Sequence, residues 1–136
     1  MENYIKEAIT QRELNARYHF VIEDIRVGKI VGSSALINYS KEDSRIEIGY
    51  SWLNAEFLLL NLAFDHLNIE RVEFKTDALN LRARNALIKI GATEEGILRK
   101  HTLMPDGRRR DNVYYSILKH EWYNEVKLAI FSDCID

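Results

Sequence analysis

The chain has few of the residues that cross-link a fold, interrupt it or bind metal. Cys134 is its only cysteine, so no disulfide can form within it. The four histidines, His19, His66, His101 and His120, do not fall at metal-ligand spacings. Pro105 is the only proline, and no repeat or low-complexity tract marks a linker between domains. No stretch approaches the ~20 apolar residues of a membrane-spanning helix. Residues 1–12 mix charged and apolar side chains without the apolar core of a signal peptide. Neither sign of charge dominates. With 19 Lys plus Arg against 21 Asp plus Glu, the net charge of −2 argues against chain-wide attraction to nucleic acid or an acidic membrane. Arg108, Arg109 and Arg110 form the one basic run. These absences lead to the expectation of a single soluble domain over residues 1–136, located in the cytoplasm, without metal, nucleic acid or membrane as partner.

What is present suits such a domain. The composition is 46% hydrophobic over 136 residues, and a chain this long buries roughly two thirds of its unfolded surface. Periodicity predicts a helix from Glu2 to about Tyr18, then strands over 20–25 and 30–38 joined by a glycine-bearing turn at Gly28. In 45–53 the alternation Ile46, Ile48, Tyr50, Trp52 against Glu47, Gly49, Ser51 predicts the clearest strand. A broad apolar face over 54–67, with Phe57, Leu60, Phe64 and Leu67, predicts a deeply packed helix. Residues 71–76 read as a strand. Asn80 is placed to cap a helix through Ile90 with Ala86, Leu87 and Ile90 inward and Gly91 as its stop. Strands over 96–104 and 109–118 flank a Pro105-Asp106-Gly107 turn, and helical spacing returns over 120–130. The order α, β-hairpin, β, α, β, α, β-hairpin, α predicts a mixed sheet covered by helices.

Several of these segments recur together in one family: Ile46-Glu47-Ile48-Gly49-Tyr50, Arg71 to Asp77, Asn80 with Gly91-Ala92, Glu95 to Arg99, Asp106 to Asp111, and Tyr115-Ser116-Ile117-Leu118. From about residue 3 to about residue 123 the chain resembles the GCN5-related N-acetyltransferases (GNAT), in particular the branch with the ribosomal-protein N-terminal acetyltransferases. The resemblance implies an α/β (α+β) fold with a mostly antiparallel central sheet flanked by helices. It implies transfer of an acetyl group from acetyl-CoA to an amine, possible acceptors including a protein N-terminus. Two departures stand out. Trp52-Leu53-Asn54 runs directly into Ala55-Glu56-Phe57, where the family carries roughly a dozen further residues whose backbone N–H groups hold the coenzyme pyrophosphate. The chain also starts partway into the fold, without the family's first strand, which leaves the strand over 20–25 at an edge and points to a homodimer.

The resemblance assigns roles that compete with plainer readings. Glu47 is a candidate base for the attacking amine, or a strand glutamate paired with Arg45 or another neighbour. Tyr115 is the candidate donor of a proton to the leaving thiolate, with Tyr114 and Ser116 beside it; packing within the sheet is the competing reading. Asn80 matches a family asparagine that contacts the pantetheine arm, and is equally an N-cap. Trp52 and Leu53 would offer main-chain hydrogen bonds to the same arm. Ala83 replaces a usual serine. The arginine run at 108–110 reads as solvated. Against the enzyme stands a relative that keeps the fold as a binding or assembly module without acetyl-CoA activity.

Overall fold

A computed structural model describes residues 2–52 and 56–131, apart from the side chains at 4, 50–52 and 131. The fold is mixed α/β, with six mostly antiparallel strands and flanking helices. The chain divides into two units, residues 1–72 and 73–136.

In the first unit, helix α1 (Glu2–Glu13) leads into strands β1 (Arg17–Asp24), β2 (Lys29–Ser40) and β3 (Arg45–Trp52), then α2 (Glu56–Asn61). The strand order is β1-β2-β3, antiparallel throughout. Helix α1 stops at Glu13, short of the expected Tyr18, because Asn15 takes a left-handed φ of 55° and Arg17 already pairs with Ile37. Arg17 is buried and its guanidinium reaches Glu7 of α1 at 3.3 Å, tying helix to strand. The β1–β2 turn needs its glycine: Gly28 sits at φ 62° and its N–H donates to Asp24 O at 2.8 Å.

Helix α2 is continued by a π-type turn (Leu62–His66), closed by Leu67 N–H on Leu62 O at 2.9 Å. Leu59, Leu60, Ala63 and Phe64 are buried, whereas Leu58 and Leu67 are 58% and 48% exposed, so the apolar face is only partly packed. The expected helix start at Asn54 lies outside the described residues.

The second unit holds β4 (Arg71–Asp77, from Glu73 onward), α3 (Leu81–Lys89), β5 (Thr93–Leu103), β6 (Arg109–Leu118), α4 (Lys119–Glu121) and α5 (Lys127–Phe131), the last two joined by a π-type turn (Trp122–Val126). Its strand order is β4-β6-β5. Phe74, Leu87, Val113, Tyr115, Ile117, Trp122 and Val126 make the core. Helix α3 matches its expected span and cap, but Ala86 is exposed and Ile90 half-buried; Leu87 alone of the three is buried. Gly91 stops the helix at φ 91°, and a Cβ there would meet Val126 Cγ2 at 3.1 Å. Strand β5 is almost wholly exposed and carries a register shift between Leu98 and Thr102, pinned by Lys100 N–H on Asp111 Oδ1 at 2.7 Å.

Candidate functional site

Glu47 lies in the middle of β3, opposite Ile37 of β2, and is 4% exposed. Its neighbours Ile46 and Ile48 are buried too, so both faces of the strand are covered here. The carboxylate Oε2 accepts a hydrogen bond from Asn38 Nδ2 at 2.7 Å, a short charge-assisted contact. Asn38 reaches it because β2 is irregular between Ile37 and Ser40 and Asn38 itself adopts φ 53°. Asparagine tolerates that conformation better than most residues, the one signal by which the sequence marks it. Arg45 pairs instead with Asp43 at 3.3 Å; of the plainer reading, an exposed strand glutamate paired with Arg45 or a neighbour, the exposure and the Arg45 pairing do not hold, while Asn38 is such a neighbour. A buried carboxylate with an oriented donor is chemically able to accept a proton, the work of a general base.

Trp52 ends β3 opposite Ser33. Its side chain and Leu53 lie outside the described residues.

Asn80 caps α3: its Oδ1 accepts from Ala83 N–H at 3.1 Å, at φ −82° and ψ 77°. The residue is exposed while its Oδ1 caps the helix. The turn before it is tied down. Asp77 Oδ1 accepts from Leu79 N–H at 3.0 Å, Ala78 N–H donates to Asp111 O at 2.9 Å, and Arg108 donates to Asp77 Oδ2. The hydrogen bond from Arg108, and after it the Leu79 N–H, holds the Asp77 carboxyl below its ordinary range. The arginine run is therefore not simply solvated: Arg108 bonds Asp77 and Arg110 bonds the buried Asn112.

Tyr115 is fully buried on β6. Its hydroxyl donates to Glu94 Oε2 at 3.0 Å and accepts from Arg84 Nε at 3.2 Å. Burial pushes its pKa up, the Arg84 hydrogen bond opposing, so the phenol keeps its proton at neutral pH. The adjacent Ser116 is also buried and donates to Glu95 Oε1 at 2.7 Å, so successive β6 hydroxyls engage successive β5 glutamates. Arg84 and Glu94 were not legible as partners of Tyr115 in the sequence, where they stand 31 and 21 residues away.

The donors fit one part of acetyl-CoA better than another. The exposed Asn80 amide suits the amide-rich pantetheine arm. Between Trp52 and Glu56 stand only Leu53, Asn54 and Ala55, with no glycine, so no pyrophosphate contact is assigned. Among the described residues, no group of three or more His, Cys, Asp or Glu is arranged to hold a metal, and no helix is long and apolar enough to cross a membrane.

Comparison with known proteins bears on this arrangement. The sequence model described as "Acetyltransferase (GNAT) domain" matches residues 1–93. A Bacillus subtilis (strain 168) protein named "Putative ribosomal N-acetyltransferase YdaF" is 34% identical over 109 residues, covering 72% of this chain and 58% of that protein. A GCN5-related N-acetyltransferase from Brucella melitensis superposes with a TM-score of 0.85 at 27% identity, covering 95% of this chain and 62% of that one. A spermidine N-acetyltransferase from Vibrio cholerae, at 21% identity and a TM-score of 0.74 over 90% of this chain and 78% of its own, shares the fold. The chain thus spans less than two thirds of the length of the Bacillus and Brucella relatives. Its match to the family covers well over half its own length, and the chain belongs to the GNAT acetyltransferases.

Proposed function

We propose that this chain moves an acetyl group from acetyl-CoA to a primary amine, the amine attacking directly. Membership of an acetyltransferase family supports acyl transfer to amines. The observation that carries the reading is the buried Glu47 carboxylate, held by Asn38 at 2.7 Å on β3. In this reading Glu47 takes a proton from the attacking amine and Asn38 fixes the carboxylate for that transfer. Tyr115, kept protonated by burial, supplies a proton to the departing thiolate. Asn80 donates through Nδ2 to the pantetheine arm while its Oδ1 caps α3, and main-chain groups at Trp52 and Leu53 line the same arm. Bound acetyl-CoA supplies the activated acetyl group as a thioester.

The acceptor we propose is a protein N-terminus; the word "ribosomal" in the name of the Bacillus relative supports a protein acceptor and no more. We place the protein in the cytoplasm as a homodimer that pairs through the edge strand β1, where Tyr18 and Val21 are 38% and 68% exposed. Sedimentation as a monomer at all concentrations would refute the dimer. In this reading residues 1–136 act as one acetyltransferase domain, with only three residues between Trp52 and Glu56 where the family's phosphate loop would stand.

The three-residue connection between Trp52 and Glu56 favours a second reading, a relative that keeps the fold as a binding or assembly module. A calorimetric or thermal-shift titration with acetyl-CoA separates the two. Ligand at ~100 times its dissociation constant adds ~2.7 kcal/mol of stability. A clear upward shift, with acetylation of a peptide amine, is expected. No shift at millimolar coenzyme would refute the acetyl-CoA reading and favour the module.

A further inference from the structure

Arg84 stands where helix electrostatics disfavour a cation, at the fourth position of α3, whose first turn carries no acidic residue. Its guanidinium accounts for the placement. Nη1 donates to Ala78 O at 3.1 Å, Nε to the Tyr115 hydroxyl at 3.2 Å and Nη2 to Glu94 Oε2 at 3.2 Å. Its own backbone N–H donates to Asn80 O at 3.0 Å. One planar group therefore joins the turn between β4 and α3 to both β5 and β6, and the carbonyl it grips lies two residues before Asn80.

We infer that Arg84 is a positioning residue for coenzyme binding, fixing the 78–80 turn so that Asn80 presents its amide in one place. The inference rests on the reading that Asn80 contacts the pantetheine arm. Three donors of a rigid fork aimed at three acceptors hold a turn in a way that the single ammonium of lysine does not reproduce. The shared acceptor matters as well. Glu94 Oε2 receives both Arg84 and the Tyr115 hydroxyl, so the fork is itself held by a carboxylate and a buried phenol.

The experiment compares Arg84→Gln, Arg84→Lys and Glu94→Gln with the wild-type chain, using steady-state kinetics with acetyl-CoA and amide hydrogen exchange without it. The expected result is a KM for acetyl-CoA raised about tenfold in both Arg84 variants, the mark of lost binding geometry; kcat falls separately, because Arg84 Nε also bonds the Tyr115 hydroxyl. Exchange at the Ala83 N–H, which reports the Asn80 cap, should quicken by a similar factor while Val113 and Ile117 in β6 stay protected. Combining Arg84→Gln with Asn80→Ala should raise KM no further than Asn80→Ala alone, because Arg84 acts on coenzyme binding through Asn80. An unchanged KM in a folded Arg84 variant, or strictly additive effects in the double variant, overturns the inference. If neither Arg84 variant folds, Glu94→Gln decides on KM alone, since its loss also touches the Tyr115 hydroxyl and hence kcat: a KM rise of about threefold supports the clamp, and no rise refutes it. A wild-type chain that ignores acetyl-CoA refutes the coenzyme reading, and the inference with it, even where Ala83 exchange quickens. Binding by the wild type with unchanged Ala83 exchange in Arg84→Gln overturns the inference alone.

Discussion

Replacing Glu47 by glutamine separates catalysis from stability. Glutamine keeps the shape of the side chain and still offers an oxygen to Asn38 Nδ2, the donor at 2.7 Å. What changes is the character of that hydrogen bond, from charge-assisted (~1.5–3 kcal/mol) to neutral (~0.5–1.5 kcal/mol), so the expected loss of stability is about 1 kcal/mol. For a chain of this size that lowers Tm by about 3–5 °C. A general base contributes about 10²- to 10⁴-fold to rate, equivalent to about 3–5 kcal/mol of barrier. Glu47→Gln should therefore be a folded protein, slightly less stable, whose kcat falls at least a hundredfold (~10²) while KM for acetyl-CoA stays near its wild-type value. Asn38→Gly is the companion change, since glycine accepts the φ of 53° without strain and removes only the donor. Its kcat should fall about tenfold through loss of carboxylate orientation. The assay is release of free thiol against a peptide amine, with thermal unfolding run in parallel. A folded Glu47→Gln chain working within about fivefold of the wild-type rate would refute the assignment of Glu47 as base.

Asn80→Ala should cost about 1 kcal/mol through loss of the α3 cap and also weaken acetyl-CoA binding. Asn80→Ser, which keeps a capping oxygen but not the amide, should restore stability without restoring affinity, as unfolding and titration would show. Gly91→Ala should destabilise by about 1–2 kcal/mol in a denaturant melt, because φ 91° strains an alanine and its Cβ presses on Val126. His19, lowered from its ordinary 6.5 by burial first and then by Arg17, with Glu7 opposing, favours the neutral imidazole when folded. The unfolded chain then takes up the proton more readily, so stability is full above pH 6.5 and falls as pH drops through that value. His19→Gln should flatten that limb of a stability profile, and an unaltered profile would contradict the burial argument.

The elements were legible where local chemistry and tertiary packing agree. Helix α3 followed from an asparagine cap and a glycine stop nine helical residues apart, and β6 from an uninterrupted β-prone run after the Pro-Asp-Gly turn. They were misread where a single backbone angle decides. No glycine or proline separates Glu13 from Tyr18, yet the left-handed φ of Asn15 ends α1 and lets Arg17 open β1. The expected burial of Ala86 failed for another reason: periodicity locates a face but not its width, and Leu87 alone meets the core.

The candidate residues divide along the same line. Glu47, Asn80 and Tyr115 can be picked out by residue type and position on a predicted element, because each sits at a fixed phase of a strand or at a helix start. Their partners cannot. Asn38 meets Glu47 only because β2 slips register between Ile37 and Ser40. Arg84 meets Tyr115 and Glu94 only because α3 returns its first turn to the β5–β6 pair. In sequence, Arg84 looks like a surface cation on an amphipathic helix. Its sign is only a hint: a cation in the first turn of a helix opposes the macrodipole, but the exposed Arg82 shares that turn, so sign alone does not single Arg84 out. Arg108 answers to Asp77 and Arg110 to Asn112, so an arginine run that composition reads as a solvated face also braces the turn that carries Asn80.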